Sequence, residues 1–370
     1  MLNNSTKLPL AIDLHADTLQ RVLDEGLDLS KGATHNHVDL PRLREGGVGT
    51  QFFSIWINPK LFPAAQAVER AWRLINALKE QLLKYPTELE LATTTTDIER
   101  INQAGRIAAA MGIEGGHTIN GRIELVEAFF QAGVRYMTLS WSNSNEICGA
   151  STDEGRERGL SSFGCEVVAL MNRLGMVVDI SHVSDKTFYE VLTCSSKPMV
   201  ASHSNLRRIC SHPRNLTDDM LRALAAQGGV CCINYYPSFL DEEFYQVFSG
   251  LGKRLAEKVT TIRAQYKDGD PKQLDYLVQK AYQEEHGLLP KVSYQKVVDH
   301  IEQAIEIAGI DHIGLGSDYD GIAYVPVGLE DISKLPILAQ ELSRRGYQYQ
   351  DIAKIFYSNI MRVFAANQAG

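Results

Sequence analysis

Met176-Val177-Val178-Asp179-Ile180-Ser181-His182, a helix-period stretch over 185–193, and Pro198-Met199-Val200-Ala201-Ser202-His203 together form the segment that decides the fold. Two short apolar runs rich in valine flank a span with helical spacing, and Ser184 is placed to cap that helix with Asp185 in its first turn. Strand, helix and strand in this order describe two parallel neighbours joined by a crossover. Both runs end in Ser-His. A lone histidine at a strand end is ordinarily a packed or loop residue. Two on adjacent strands, which lie only ~4.8 Å apart, can share one pocket.

The same unit recurs along the chain. Apolar or β-branched runs occupy residues 10–14, 49–56, 107–113, 134–139, 176–180, 198–202, 229–234 and 313–317. Amphipathic stretches at 64–83, 123–131, 160–174, 185–193 and 217–226 alternate with them, and Thr217 is a second helix-capping candidate. Eight alternating units predict an α/β protein, a (β/α)8 TIM-like barrel. A polar helical excursion over 241–291 precedes the last barrel strand, and 332–343 and 349–366 read as closing helices. No repeat, low-complexity block or flexible linker divides the chain, so residues 1–370 are expected to form a single domain.

Composition narrows the function. Of 370 residues, 44% are hydrophobic and 22% charged, as in a globular enzyme with a large core. The balance of 37 basic against 45 acidic residues, a net charge of −8, argues against nucleic acid or an anionic membrane as partner. The basic residues within 246–276 are interleaved with acids and read as a solvated helical face. No uninterrupted apolar stretch reaches the ~18 residues of a membrane span. Residues 1–10 carry one Lys and no signal-peptide core. The six cysteines, at 148, 165, 194, 210, 231 and 232, form no C-x-x-C and mostly lie in apolar runs. They are expected to be buried thiols, and the protein cytoplasmic.

The strongest polar signals fall at the carboxyl ends of the runs, where a barrel of this kind carries its active site. The first run leads into Asp13-Leu14-His15-Ala16-Asp17, with His15 and Asp17 two apart on one side of an extended chain. The third leads into Glu114-Gly115-Gly116; an acid after so apolar a run must be solvated, paired or bound to metal. His182 and His203 follow the fifth and sixth, and Asp318 follows the eighth. Taken singly, each has a plainer reading: a turn, a cap, a pocket-lip residue. Together, three imidazoles and three carboxylates at one rim suit two divalent ions sharing a bridging carboxylate and a water. His35 and His37, with no apolar run before them, read as loop or surface residues. His212, His286, His300 and His312 read as packing or solvated. There is no G-x-S-x-G elbow, Walker A or dinucleotide fingerprint.

Along residues 8–365 the chain resembles the renal (membrane) dipeptidase family of the amidohydrolase superfamily. The matching motifs are Asp13-Leu14-His15-Ala16-Asp17, His37-Val38-Asp39-Leu40-Pro41-Arg42-Leu43, Glu114-Gly115-Gly116, both Ser-His ends, Gly316-Ser317-Asp318-Tyr319-Asp320-Gly321 and Tyr357-Ser358-Asn359-Ile360-Met361-Arg362-Val363-Phe364. The resemblance implies a zinc-dependent dipeptidase, two Zn2+ per chain, acting through a metal-bridging hydroxide. His15 and Asp17 would bind one zinc, His182 and His203 the other, and Glu114 would bridge them. Asp318 matches the family's acid/base carboxylate. Arg214 matches the arginine that grips a dipeptide's free carboxylate, a partner suited to a guanidinium fork. Tyr236 matches a substrate-lining tyrosine, and a homodimer is implied as well. One position departs from the pattern: Trp141 stands where the family has a substrate-contacting histidine. An indole offers one N–H but no imidazolium charge. Asn143 and Asn145 are candidate replacement donors. Two other readings stay open, a related binuclear hydrolase acting on another amide, lactone or imine, and a non-catalytic binding barrel.

Overall fold

The computed structural model describes residues 8–265 and 271–368. Residues 1–7, on which the expectation of no leader partly rests, and 266–270 of the helical excursion lie outside the described residues.

The strands are β1 (Ala11–Ala16), β2 (Val48–Trp56), β3 (Leu89–Leu91), β4 (Ile107–Glu114), β5 (Val134–Thr138), β6 (Val177–Asp179), β7 (Val200–Ala201), β8 (Val230–Ile233) and β9 (Ile313–Leu315). They pair in parallel in the order β1-β2-β4-β5-β6-β7-β8-β9. A parallel bridge between Ala16 and Tyr319 links the two ends of this path. There, Asp318 N–H donates to His15 O at 3.0 Å, and Asp17 N–H to Tyr319 O at 2.8 Å. The α/β fold is thus a nearly closed (β/α)8 barrel, and each of the eight expected runs contributes one strand. The ninth strand, β3, was not anticipated. It pairs with β4 off the barrel path, and three residues are too few to display a period.

Both faces of the barrel strands are buried, which explains their nearly unbroken apolar runs. Phe52, Ala108, Ala110, Tyr136, Val177, Val200, Val230 and Cys232 belong to one cluster with Ile360, Val363 and Phe364. Their neighbours Phe53, Ala109, Met137, Val178, Ala201 and Cys231 join a second cluster with the surrounding helices. Followed towards the carboxyl ends, the first face continues through Gly112 and Glu114 on β4, Thr138 on β5 and Asp179 on β6. The lumen therefore gives way to polar residues at the mouth formed by the carboxyl ends of the strands. The closing helix Asn359–Asn367 packs against the other end, with Phe364 4.9 Å from Phe52.

The expected helices form at Ala65–Lys84, Glu124–Ala132, Ser162–Leu174, Asp185–Cys194 and Asp218–Ala226. Ser184 and Thr217 cap theirs by accepting from Thr187 N and Met220 N. The excursion contains helices Glu242–Gln265 and Pro271–Gly287, tied by Arg254–Glu285 and Lys258–Glu284 ion pairs at 3.0 and 2.8 Å. The first closing helix is shorter than expected, Pro336–Arg344, because Pro336 starts it. The second is interrupted by a π-turn over Lys354–Ser358. No helix among the described residues is long and apolar enough to cross a membrane. All six cysteines are free. Cys165 and Cys194 are only partly buried, contrary to expectation, because they lie on outer helices, with sulfurs 3.0 Å apart.

Candidate metal centre

The barrel rim brings all six expected residues together. His15 and Asp17 come from the end of β1, Glu114 from the end of β4, and His182, His203 and Asp318 from the turns after β6, β7 and β9. His182 and Asp318 take left-handed backbone, φ 71° and 64°, uncommon for side-chain-bearing residues and concentrated at functional sites. Glu114 stands in the middle. Its Oε2 lies 3.2 Å from His15 Nε2, while Oε1 lies 2.8 Å from His182 Nε2 and 3.6 Å from His203 Nε2. His182 Nε2 and His203 Nε2 are 3.0 Å apart, and His15 Nε2 is 3.7 Å from Asp17 Oδ2. Ligand atoms of His15, Glu114 and His203, and of His15, Asp17 and Asp318, fall within 4.8 Å of one another.

This donor set fits a metal. Three carboxylates packed at one buried rim repel each other unless positive charge stands among them. His15 Nε2 and Asp17 Oδ1 are buried with no hydrogen-bond partner. The electrostatics agree. Burial, then Arg214, pushes the His182 imidazole down to about 4, and burial with His15 and Arg214 holds His203 well below its ordinary value. Both rings are therefore neutral, the state a ligand needs. Glu114 is held well below the usual carboxylate range, because His15 and His182 outweigh burial. Burial would lower His15 too, but Tyr136, Glu114 and Asp17 hold it well above its ordinary value. A positive charge, proton or cation, is what these acids stabilise.

Tyr136 orients His15. Its hydroxyl donates to Leu14 O at 3.1 Å, so its oxygen is left to accept from His15 Nδ1–H at 2.8 Å. When a cation takes the place of the ring's second proton, the lone pair of the neutral His15 lies on Nε2, facing Glu114. Gly112 makes room for the phenol: a Cβ there would stand 1.9 Å from Tyr136 Cζ.

Above the acids opens a cavity of about 450 Å3. Asp17, Glu114, His182 and Asp318 line it together with Trp56, Trp141, Tyr236, Phe239 and Ile322. Trp141 packs edge-on to Trp56 at 5.1 Å and lies 6.4 Å from the His182 ring. Asp318 is pushed up to about 7, by burial first and by Asp17 and Glu114, against the pull of His15 and a 2.8 Å hydrogen bond from Asn234. A carboxyl poised near neutrality suits proton transfer. Arg214 lies beside the cavity and not in its lining. It is buried, donating to His203 O at 3.0 Å, with its guanidinium 5.3 Å from the Phe239 ring.

Some side chains behave differently from the sequence reading. His37 lies in a loop, as read, but is half-buried; its Nδ1 accepts from Asp320 N at 2.9 Å, because the turn after β9 folds against that loop. Asp320 is wholly buried and accepts from Thr18 Oγ1, Arg21 Nε and His37 N at 2.7, 3.0 and 2.7 Å. Asn145 is consumed within its own loop, where Leu139 O, Ile147 N and Cys148 N take up its amide. Trp56, Tyr136 and Asn234 gave no signal in the sequence. Each sits inside or just after an apolar run, where a packing role is the ordinary reading.

Comparison with known proteins places this geometry. The model of the membrane dipeptidase family, peptidase family M19, matches residues 5–369. The chain belongs to that family. It is 32% identical over 338 residues to the dipeptidase aclJ of Aspergillus oryzae, covering 89% of this chain and 69% of the relative. It is likewise 32% identical over 350 residues to the uncharacterized dipeptidase C965.12 of Schizosaccharomyces pombe, covering 91% and 73%. The fold matches that of a metallopeptidase from Rhodobacter sphaeroides, solved with a phosphinate mimic of L-Ala-D-Ala. The TM-score is 0.78 at 23% identity, covering 98% of this chain and 100% of that one. This family member is a metal-dependent dipeptidase, a hydrolase.

Proposed function

We propose that this dipeptidase holds two zinc ions, His15 and Asp17 on one side and His182 and His203 on the other, with Glu114 shared between them. The observation that carries this reading is the double aspect of Glu114, one oxygen towards His15 and the other towards His182 and His203. Bound there, the ions would supply the Lewis acidity that activates water and polarises the scissile carbonyl. The chain's own groups do the rest. Asp318, steadied by Asn234, takes a proton from the attacking water and returns it to the departing amine. Arg214 gives positive charge to the end of the cavity near Phe239, favouring a dipeptide with a free carboxyl terminus. Tyr236 and Trp141 form walls that hold the substrate over the acids and exclude water.

Two measurements test this. Metal analysis of the purified protein should find two zinc ions, and hydrolysis across a panel of dipeptides should stop with a chelator and return with Zn2+. Asp318→Asn should remove turnover and keep the metal. Loss of metal and turnover together would make Asp318 a ligand, as its closeness to His15 and Asp17 allows. Trp141 in the cavity wall favours a second reading, hydrolysis of another amide, a lactone or an imine by the same groups. Acylated amino acids and lactones tested beside dipeptides separate the two. We further propose a single domain over residues 1–370, a cytoplasmic setting in keeping with six free thiols, and a homodimer. Cell fractionation and light scattering test the last two.

A further inference from the structure

Two aspartates outside the metal centre repeat one device. Asp179, at the end of β6, accepts from Ser202 N at 2.9 Å and Ser202 Oγ at 2.6 Å. Asp13, on β1, accepts from Ser317 N at 2.7 Å and Ser317 Oγ at 2.7 Å. Both carboxylates are wholly buried. In each case the serine lies just past the neighbouring strand, and the next residue is a site residue, His203 or Asp318. A two-point grip on the preceding serine fixes where that residue emerges.

At His203 the grip also determines where a hydrogen sits. Asp179 receives four donors: Thr138 Oγ1, Ser181 N, Ser202 N and Ser202 Oγ. It accepts in all four contacts, so the single hydroxyl hydrogen of Ser202 points to it; at 2.6 Å this bond outcompetes the 3.4 Å contact with Ser181 Oγ. Ser202 Oγ, 2.7 Å from His203 Nδ1, is then left only as an acceptor, and Nδ1 must carry the ring hydrogen. The bare lone pair falls on Nε2, the atom facing Glu114 and His182. Ser181 Oγ, accepting from His203 N at 3.1 Å, holds the backbone at the same point.

We infer that Asp179 and Ser202 are a positioning pair that sets the tautomer and aim of His203, presenting its Nε2 to a cation. This rests on the reading of His203 as a metal ligand. What is fixed is which nitrogen of a neutral ring carries hydrogen. Partners of this kind alter metal affinity by about 10–100-fold.

The test uses the full chain with 15N-labelled histidine, stripped of metal by a chelator. His203 is assigned by its loss in His203→Ala. Wild type should show His203 with hydrogen on Nδ1; hydrogen on Nε2 overturns the inference without any Ser202 variant. Ser202→Ala should show mixed tautomers and bind one of its two Zn2+ about 10–100-fold more weakly in competition with a chromophoric chelator. Ser202→Thr, which keeps the hydroxyl, should restore both. Thermal melting of each variant separates this loss from unfolding. A wild-type tautomer and affinity in Ser202→Ala, or a Ser202→Thr protein as weak as Ser202→Ala, overturns the pair. Wild-type Zn2+ affinity in His203→Ala overturns it differently, by removing the ligand reading beneath it.

Discussion

His300 makes the fold around the site sensitive to acid. Its ring is wholly buried; Nδ1 accepts from Leu206 N–H at 3.2 Å, and Nε2–H donates to Leu240 O at 3.0 Å. Leu206 lies three residues after His203, and Leu240 ends the short helix Pro237–Leu240 that follows Tyr236. One imidazole thus pins two loops that shape the site. Protonation would set Nδ1–H against the Leu206 N–H, and burial pushes the pKa down from 6.5 to about 4. Unfolded chains take up this proton near pH 6.5, folded ones only near 4. The contribution is complete above pH 6.5 and falls as pH drops to about 4, by ~1.4 kcal/mol per pH unit and about 3 kcal/mol in all. His300→Gln keeps an acceptor and a donor but cannot titrate. Urea unfolding of the metal-free proteins, followed by circular dichroism at pH 7.5 and 5, should show wild type losing roughly 2 kcal/mol more than the variant. Parallel losses in the two proteins would refute the reasoning.

Tyr136→Phe should weaken metal binding by about 10–100-fold, because His15 Nδ1–H and Leu14 O both lose their partner; chelator competition reads this. Asp320→Ala should cost roughly 2–3 kcal/mol, since the backbone N–H of His37 and the Arg21 guanidinium lose a buried acceptor. Arg21 is 22% exposed and recovers some solvation, so a thermal shift equivalent to well over 3 kcal/mol would contradict this account. Trp141→His should raise kcat/KM on dipeptides, by up to about 100-fold if the imidazole gains a transition-state contact. An unchanged value would show that the indole already serves in that role or that none is needed.

The barrel was legible because each strand is buried on both faces and so reads as a short apolar run, with helices of clear period between. Every metal-centre candidate was legible for a related reason: a polar residue directly after such a run has few structural reasons to be there. The same logic hid Asp13 and Asp179, which lie within the runs or at their ends and look like interruptions until their serine partners are seen across the sheet. Tyr136 looked like core. Asn234 closes an apolar run and gave no signal of its own. His37 read as a loop residue and is one, but the partner that half-buries it, Asp320, is far away in sequence.

The chain alone determines the repeating strand–helix order, the family motifs and the identities of the six rim residues, since hydrophobic period and residue type are local properties. Folding decides what depends on distance and direction. It turns the two oxygens of Glu114 to opposite neighbours and brings Trp56 against Trp141. It places Arg214 beside the cavity, and chooses which nitrogen of His15 and of His203 carries hydrogen. Those outcomes follow from strand register, the curvature that closes β9 onto β1 and the geometry of buried hydrogen bonds, none of which is written in any one stretch of residues.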